Sequence, residues 1–202
     1  MAATAWDARY GAPGYLFGTE PAAFLRRHGG RLAPGARVLS VADGEGRNAV
    51  WLARQGHAVT AFDASSVALD KARLLAAEAG VTVAFHHAGV EDWDWRPAAF
   101  DAVVAVFVQF APPPLRARMF EGMARTLRPG GLLLLHGYAP RQIGYGTGGP
   151  GAVENLYTLP MLCDAFAGWQ VPHAADHDAD LAEGTGHAGR SALVDFVALK
   201  PV

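Results

Sequence analysis

Residues 36–50, ARVLSVADGEGRNAV, decide how the rest of the chain is read. VLSVA (38–42) has the length and apolar character of a buried strand, and from Glu45 to Gln55 the pattern is that of a helix. Gly44 and Gly46 stand between them. Glycine there lets the backbone take strained angles and approach a ligand, and the helix N-terminus beyond presents free N–H groups. The next strand, HAVTAF (57–62), runs into Asp63, a carboxylate placed to accept both hydroxyls of a ribose. A glycine turn with an acid at the end of the following strand predicts recognition of an adenosine-containing ligand.

Outward from this stretch the alternation continues. Ser65 or Ser66 caps a helix running to about Ala79, stopped by Gly80, and VTVAFHH (81–87) is a strand. FDAVVAVFV (100–108) is a further strand, followed by a proline-capped helix from about Pro113 to Leu127, a tight RPGG turn and the strand LLLLHGY (132–138). Strands alternating with helices imply βαβ units and a mostly parallel sheet. The continuous apolar strands fit a sheet covered on both faces. Upstream, TEPAAFLRRHGG predicts a helix capped by Thr19 and ended by Gly29 and Gly30. Downstream, 139–154 reads as a long glycine-rich loop, Thr158 caps a helix to about Phe166, and 169–177 and 191–199 read as antiparallel strands.

The bulk numbers are those of one domain. The chain has 202 residues, 51% of them apolar, a formal net charge of −2 and a single cysteine, Cys163. With no long basic run, nucleic acid is not an expected partner. One cysteine excludes an internal disulfide framework, and in the apolar stretch MLCDAF it reads as packing. The N-terminus lacks the marks of a signal peptide, and no apolar run spans a bilayer. A cytoplasmic protein without a membrane partner, monomer or homodimer, is expected.

Two enzyme classes share the glycine turn. GEGRNA matches G-x-G-x-x-A, the dinucleotide fingerprint. An S-adenosylmethionine (AdoMet) site uses the same topology without a pyrophosphate. The longer turn before the glycines, the Arg47-Asn48 pair after them and MARTLRPGGLLLL (123–135) favour AdoMet. The alternatives are an NAD(P)-dependent oxidoreductase of the Rossmann type and a non-catalytic AdoMet-binding protein.

In WDARYGAPGYLFGTEPAAFL (6–25), VLSVADGEGRNAVWLARQGHAVTAFDAS (38–65), FDAVVAVF (100–107), LRPGGLLLLHGY (127–138), YGTGGP (145–150) and EGTGHAG (183–189), the chain resembles class I AdoMet-dependent methyltransferases. Within them it looks most like the tellurite-resistance and thiopurine methyltransferase-like branch of small-molecule enzymes. The resemblance implies an α/β, Rossmann-like, doubly wound seven-stranded sheet of order 3-2-1-4-5-7-6 with the last strand antiparallel. It implies one domain over 1–202: an N-terminal lid and helix over 1–30, an AdoMet-binding core over 36–138, and a substrate-side loop with the C-terminal strands over 139–202. By the same resemblance the cofactor residues are Ser40, Ala42, Asp43, Gly44, Gly46, Arg47, Asn48, Asp63, Ala64, Ser65, Gly89, Val90, Glu91 and Phe107. Ser40 stands where the family usually has an acid and Ala42 where it usually has its first glycine, so Asp43 or backbone carbonyls are the expected partners for the AdoMet ammonium.

Methyl transfer from a sulfonium starts from an activated donor, so the protein mainly positions the partners and excludes water. A thiol, selenium or tellurium acceptor needs no strong base; a harder one does. His187, Arg190, His136 and Tyr138 are the candidate catalytic or substrate-side residues, with Gln109 beside them. Trp6, Tyr10, Tyr15 and Phe17 form a candidate lid whose aromatic faces suit a sulfonium, and the 139–154 loop is a second. EDWDWRP (91–97) reads as a cap over the adenine side or as core. HAADHDAD (173–180) mixes histidine and carboxylate, but its spacing fits no strong metal motif, so no metal is expected.

Overall fold

The computed structural model describes residues 3–202. Met1 and Ala2, part of the expected N-terminal extension and of the signal-peptide reading, lie outside the described residues. The strands are β1 (Arg37–Val41), β2 (Ala58–Asp63), β3 (Ala84–His87), β4 (Phe100–Val106), β5 (Leu127–Tyr138), β6 (Gln170–Glu183) and β7 (His187–Leu199). The helices are α1 (Ala3–Tyr10), α2 (Ala23–His28), α3 (Arg47–Arg54), α4 (Ser66–Glu78), α5 (Pro113–Thr126), the short α6 (Gln142–Tyr145) and α7 (Leu159–Ala165). The sheet has seven strands in the order β3-β2-β1-β4-β5-β7-β6. Strands β1 to β5 run parallel, and β7 pairs antiparallel with both β5 and β6.

Both faces of the sheet are buried, which is why the central strands are apolar throughout. On one face Val38, Val104 and Leu134 pack with Phe24 and Leu25 of α2 and Leu52 of α3. On the other, Leu39, Val103 and Leu135 pack with Met119 and Met123 of α5 and Leu162 of α7. No helix among the described residues is long and apolar enough to cross a membrane.

Four local expectations are corrected. Thr19 caps nothing: α2 begins at Ala23, after the N-cap Ala22. The Ala22 and Ala23 amides donate to Asn48 Oδ1 (3.0 Å) and Glu183 Oε1 (2.9 Å), so distant side chains satisfy the helix start that Thr19 was expected to serve. The RPGG segment is absorbed into β5 as an irregularity in its pairing with β4, with Gly130 at φ 68°. Cys163 lies on the solvent side of α7 and is exposed. The last two strands run on to Glu183 and back from His187, so 178–183 and 187–190 are ladder rather than loop.

Candidate functional site

A cavity of about 370 Å³ opens at the carboxyl ends of the parallel strands, where ligands of open α/β sheets bind. The turn after β1 forms its floor. Ala42 (φ 46°) and, at the end of β4, Phe107 (φ 57°) both hold left-handed backbone angles, a strain that side-chain-bearing residues sustain only where the surroundings impose it. Gly44, at φ 63°, donates its N–H to Asp63 Oδ2 at 2.9 Å, and Ser65 N donates to Asp63 Oδ1 at 2.8 Å. Burial raises the Asp63 pKa, and the two amides only partly oppose it. Ser40 Oγ donates to Asp43 Oδ1 at 2.5 Å, while Asp43 Oδ2 is buried without a hydrogen-bond partner. Burial pushes the Asp43 carboxyl up to about 7 despite the Ser40 hydroxyl.

The roof comes from the N-terminal segment. Trp6 stacks on Tyr10 (5.4 Å between centroids), Tyr10 meets Phe17 edge-on (6.2 Å), and Phe17 lies against His187 (4.2 Å). This roof is fastened by the turn's own polar residues. Glu45 Oε2 accepts the Leu16 amide at 2.7 Å, and its Oε1 pairs with Lys71. Arg47 donates to the Phe17 carbonyl at 3.1 Å and pairs with Glu183. The hairpin tip closes on the same segment: Gly186 N donates to Leu16 O at 2.9 Å, and a Cβ at Gly184 would meet the backbone of Leu16, Phe17 and Gly18 at 2.5 Å.

At the far end stand Phe107, Tyr138 and His187, with Phe107 4.1 Å from the His187 ring and 4.7 Å from Tyr138. Gln109 clamps the Tyr138 backbone, donating to its carbonyl (2.8 Å) and accepting from its amide (2.6 Å). The Tyr138 hydroxyl and His187 Nδ1 are buried without partners. Burial, reinforced by the Arg47 charge, pushes the His187 imidazole down to about 2. Burial and the Glu183 charge raise the Tyr138 phenol. Both groups are therefore neutral at physiological pH.

Residues 38–131 match the model of a family described as a methyltransferase domain. The ubiquinone biosynthesis O-methyltransferase of Xylella fastidiosa (strain 9a5c) is 38% identical over 103 residues, 50% of this chain and 41% of that protein. The chain thus spans about two fifths of the length of the curated relatives it matches. Over residues 38–131, 94 of the 202, the chain is similar to methyltransferase domains. Among solved structures, one from work on conversion of a disulfide bond into a thioacetal group during echinomycin biosynthesis superposes with a TM-score of 0.77 at 20% identity, covering 98% of this chain and 91% of that one. TehB from Haemophilus influenzae superposes at 0.67 with 14% identity, covering 88% and 61%. At such identities these likenesses establish the fold alone, so the tellurite-type branch has a structural neighbour and no more. The dinucleotide alternative finds no support in these comparisons.

Of the expected site residues, Ser40, Ala42, Asp43, Gly44, Arg47, Asn48, Asp63, Ala64, Gly89, Val90, Glu91, Phe107, Gln109, Tyr138 and His187 line the cavity. Four expected site residues do not. Gly46 serves helix packing, since a Cβ there would lie 2.7 Å from that of Ala72. Ser65 is fully buried, capping α4 and donating to Asp7 Oδ1 at 2.5 Å. His136 sits behind Phe107, its Nδ1 2.6 Å from Asp195 Oδ1. Arg190 is turned to solvent beside Asp178.

Of the candidate lid residues, Tyr15 faces away, donating to the Lys71 carbonyl. Trp93 and Trp95 pack as core behind Phe62, a cavity residue that sequence reading missed along with Arg9, Phe110 and Leu115. Phe62 was legible only as a strand residue, because which strand face reaches a cavity is a tertiary matter. From the second candidate lid, Gly149 and Pro150 reach the cavity.

The cavity's residues suit the cofactor's chemistry. Asp43, which lines the cavity, has a buried carboxylate oxygen without a hydrogen-bond partner. Asp63 keeps acceptor capacity for a diol beyond its two amide bonds. Trp6, Tyr10 and Phe17 present aromatic faces, which attract a sulfonium.

Proposed function

We propose that the protein transfers the methyl group of AdoMet to a small acceptor bound between Phe107, Tyr138 and His187, and that the acceptor is a soft nucleophile of the thiol, selenium or tellurium type. Bound AdoMet supplies a methyl group on a positively charged sulfur. In this reading Asp43, with Ser40 orienting its carboxylate, holds the amino group in place of an acid at position 40. Asp63 holds the ribose, the 89–91 loop meets the adenine edge, and the roof of Trp6, Tyr10 and Phe17 excludes water.

The observation that carries the acceptor class is the neutrality of its pocket. His187, pushed down to about 2, takes no proton at neutral pH. Tyr138, raised by burial, gives none up. A thiol that ionises in solution needs neither, whereas a phenol needs a base near its own range. The relatives named as O-methyltransferases favour a second reading, an oxygen acceptor. The family match ends at residue 131, before Tyr138 and His187.

The test is calorimetric titration with S-adenosylhomocysteine, NAD as control and Asp63→Ala alongside, followed by AdoMet turnover with thiols, selenite, tellurite and phenols. Binding of the homocysteine product alone, lost in Asp63→Ala, together with turnover of a soft acceptor, is the expected result. Turnover of phenols only would reverse the acceptor class, and binding of NAD instead would overturn the reading altogether.

A further inference from the structure

A second polar cluster lies on the α2 face of the sheet, behind the cavity wall. Its centre is Asp195 of β7, buried and paired in the ladders with His136 of β5 and Ala175 of β6. His173 and His177 each stand two places from Ala175 on β6 and so share its face. His136 Nδ1 holds Asp195 Oδ1 at 2.6 Å. Around Oδ2 gather His177 Nε2 at 3.2 Å, His173 Nε2 at 3.9 Å and Arg27 Nη2 at 3.0 Å. From α2, the His28 ring lies 4.4 Å from that of His173, and ligand atoms of His28, His173 and Asp195 all fall within 4.8 Å of one another.

Two features separate this cluster from an ordinary polar patch. The Nε2 atoms of His173 and His177 are both buried without a hydrogen-bond partner, and both approach the same carboxylate oxygen. Buried polar nitrogens without partners are uncommon enough to require a reason. We infer that His28, His173 and Asp195 form a binding site for a divalent transition metal of the zinc class, apart from the proposed methyl-transfer cavity, with His177 beside it on the shared carboxylate. Imidazole nitrogens with one carboxylate suit zinc, copper or nickel, while magnesium and calcium take oxygen ligands.

Tetrahedral zinc at 2.0–2.1 Å from each ligand sets the ligand atoms about 3.3 Å apart. The ligand atoms of His28, His173 and Asp195 lie within 4.8 Å of one another, with His173 3.9 Å from Asp195, so small rotations of the rings close them on an ion whose fourth position water fills. His136 orients the carboxylate from behind, as supporting residues of metal ligands do. Arg27 bonds Oδ2 from a side chain 48% exposed, so it swings outward as the metal enters. The bound ion joins α2 to β6 and β7. Through His136, which packs on Phe107 at 4.7 Å, it also backs the cavity wall.

The test uses the full chain without an affinity tag, stripped with chelator. It is titrated with Zn²⁺ by calorimetry, with Mg²⁺ as control, and with Co²⁺ by its visible absorption. One equivalent of Zn²⁺ should bind, Mg²⁺ should not, and Co²⁺ should give the intense bands of a four-coordinate site. His173→Gln and His177→Gln, both at partly exposed positions, should each weaken Zn²⁺ at least about tenfold, a loss typical of removing even a supporting residue. Arg27→Gln should bind at least as tightly as the parent. No stoichiometric Zn²⁺ binding, or binding unchanged in both histidine variants, overturns the site.

Discussion

Arg47 Nη2 lies 2.8 Å from Glu183 Oε2, with both side chains less than a tenth exposed. One opens α3, just past the glycine turn after β1, and the other ends β6. Each also holds the N-terminal segment: Arg47 bonds the Phe17 carbonyl, and Glu183 bonds the Ala23 amide. This pair makes the cavity's roof part of the folded body rather than a loose flap.

Removing one partner leaves the other charged and buried. Glu183→Ala is therefore expected to cost about 3–5 kcal/mol of stability, read by urea unfolding. The double variant Arg47→Met/Glu183→Leu should recover most of that loss, because the desolvated charges are gone. Equal stability of Glu183→Ala and the parent would mean that the pair contributes nothing.

Ala42 occupies a left-handed conformation (φ 46°) that glycine adopts freely. Ala42→Gly should raise stability by about 1 kcal/mol, the low end of the strain released at such a site. A higher unfolding midpoint with unchanged denaturant dependence is the signature. A drop would show that the methyl group's packing outweighs the strain.

Asp43 governs the pH dependence of cofactor binding in the proposed scheme. Its carboxyl, pushed up to about 7, is mostly neutral at pH 6 in the free protein. A cationic amino group binds the ionised form, so affinity for S-adenosylhomocysteine should rise between pH 5.5 and 7.5, by up to about tenfold per unit below pH 7. Asp43→Asn should bind more weakly and with a flat profile over that range. A parent profile as flat as the variant's would remove Asp43 from the cofactor site.

His187 gives the opposite kind of linkage. Its folded value, about 2, lies below the ordinary 6.5, so acid favours the unfolded chain. The stability due to the neutral ring is full above pH 6.5 and is lost as pH falls below it, by at most about 1.4 kcal/mol per unit. Between pH 7.5 and 5 the parent's unfolding midpoint should fall more than that of His187→Gln. Parallel curves would show that the ring is protonated in the fold.

The seven-strand architecture was legible because it rests on local patterns. Continuous apolar strands, capped helices and the glycine turn each declare themselves within a few residues. The floor of the candidate site was legible for the same reason, since Asp43, Gly44 and Asp63 sit at strand ends. Gly46 and Ser65 belong to the same motif, yet one serves helix packing and the other a helix cap. Spacing alone does not separate a residue that faces a ligand from one that faces a neighbouring helix.

What the tertiary structure alone decided are contacts between distant segments. Arg47 with Glu183, Phe17 with His187, and Asp195 with His28, His136, His173 and His177 join residues far apart in the chain. The length of the final hairpin was also a tertiary matter. Its outer strand is mostly polar, and only pairing with β7 satisfies its backbone. From the sequence by itself came the strands, the helices and the mostly parallel sheet, because core burial follows periodicity, while the order of the strands came from the resemblance to a known family. The roof and the histidine cluster came only from packing, because polar side chains choose partners by position in space, which no local pattern records.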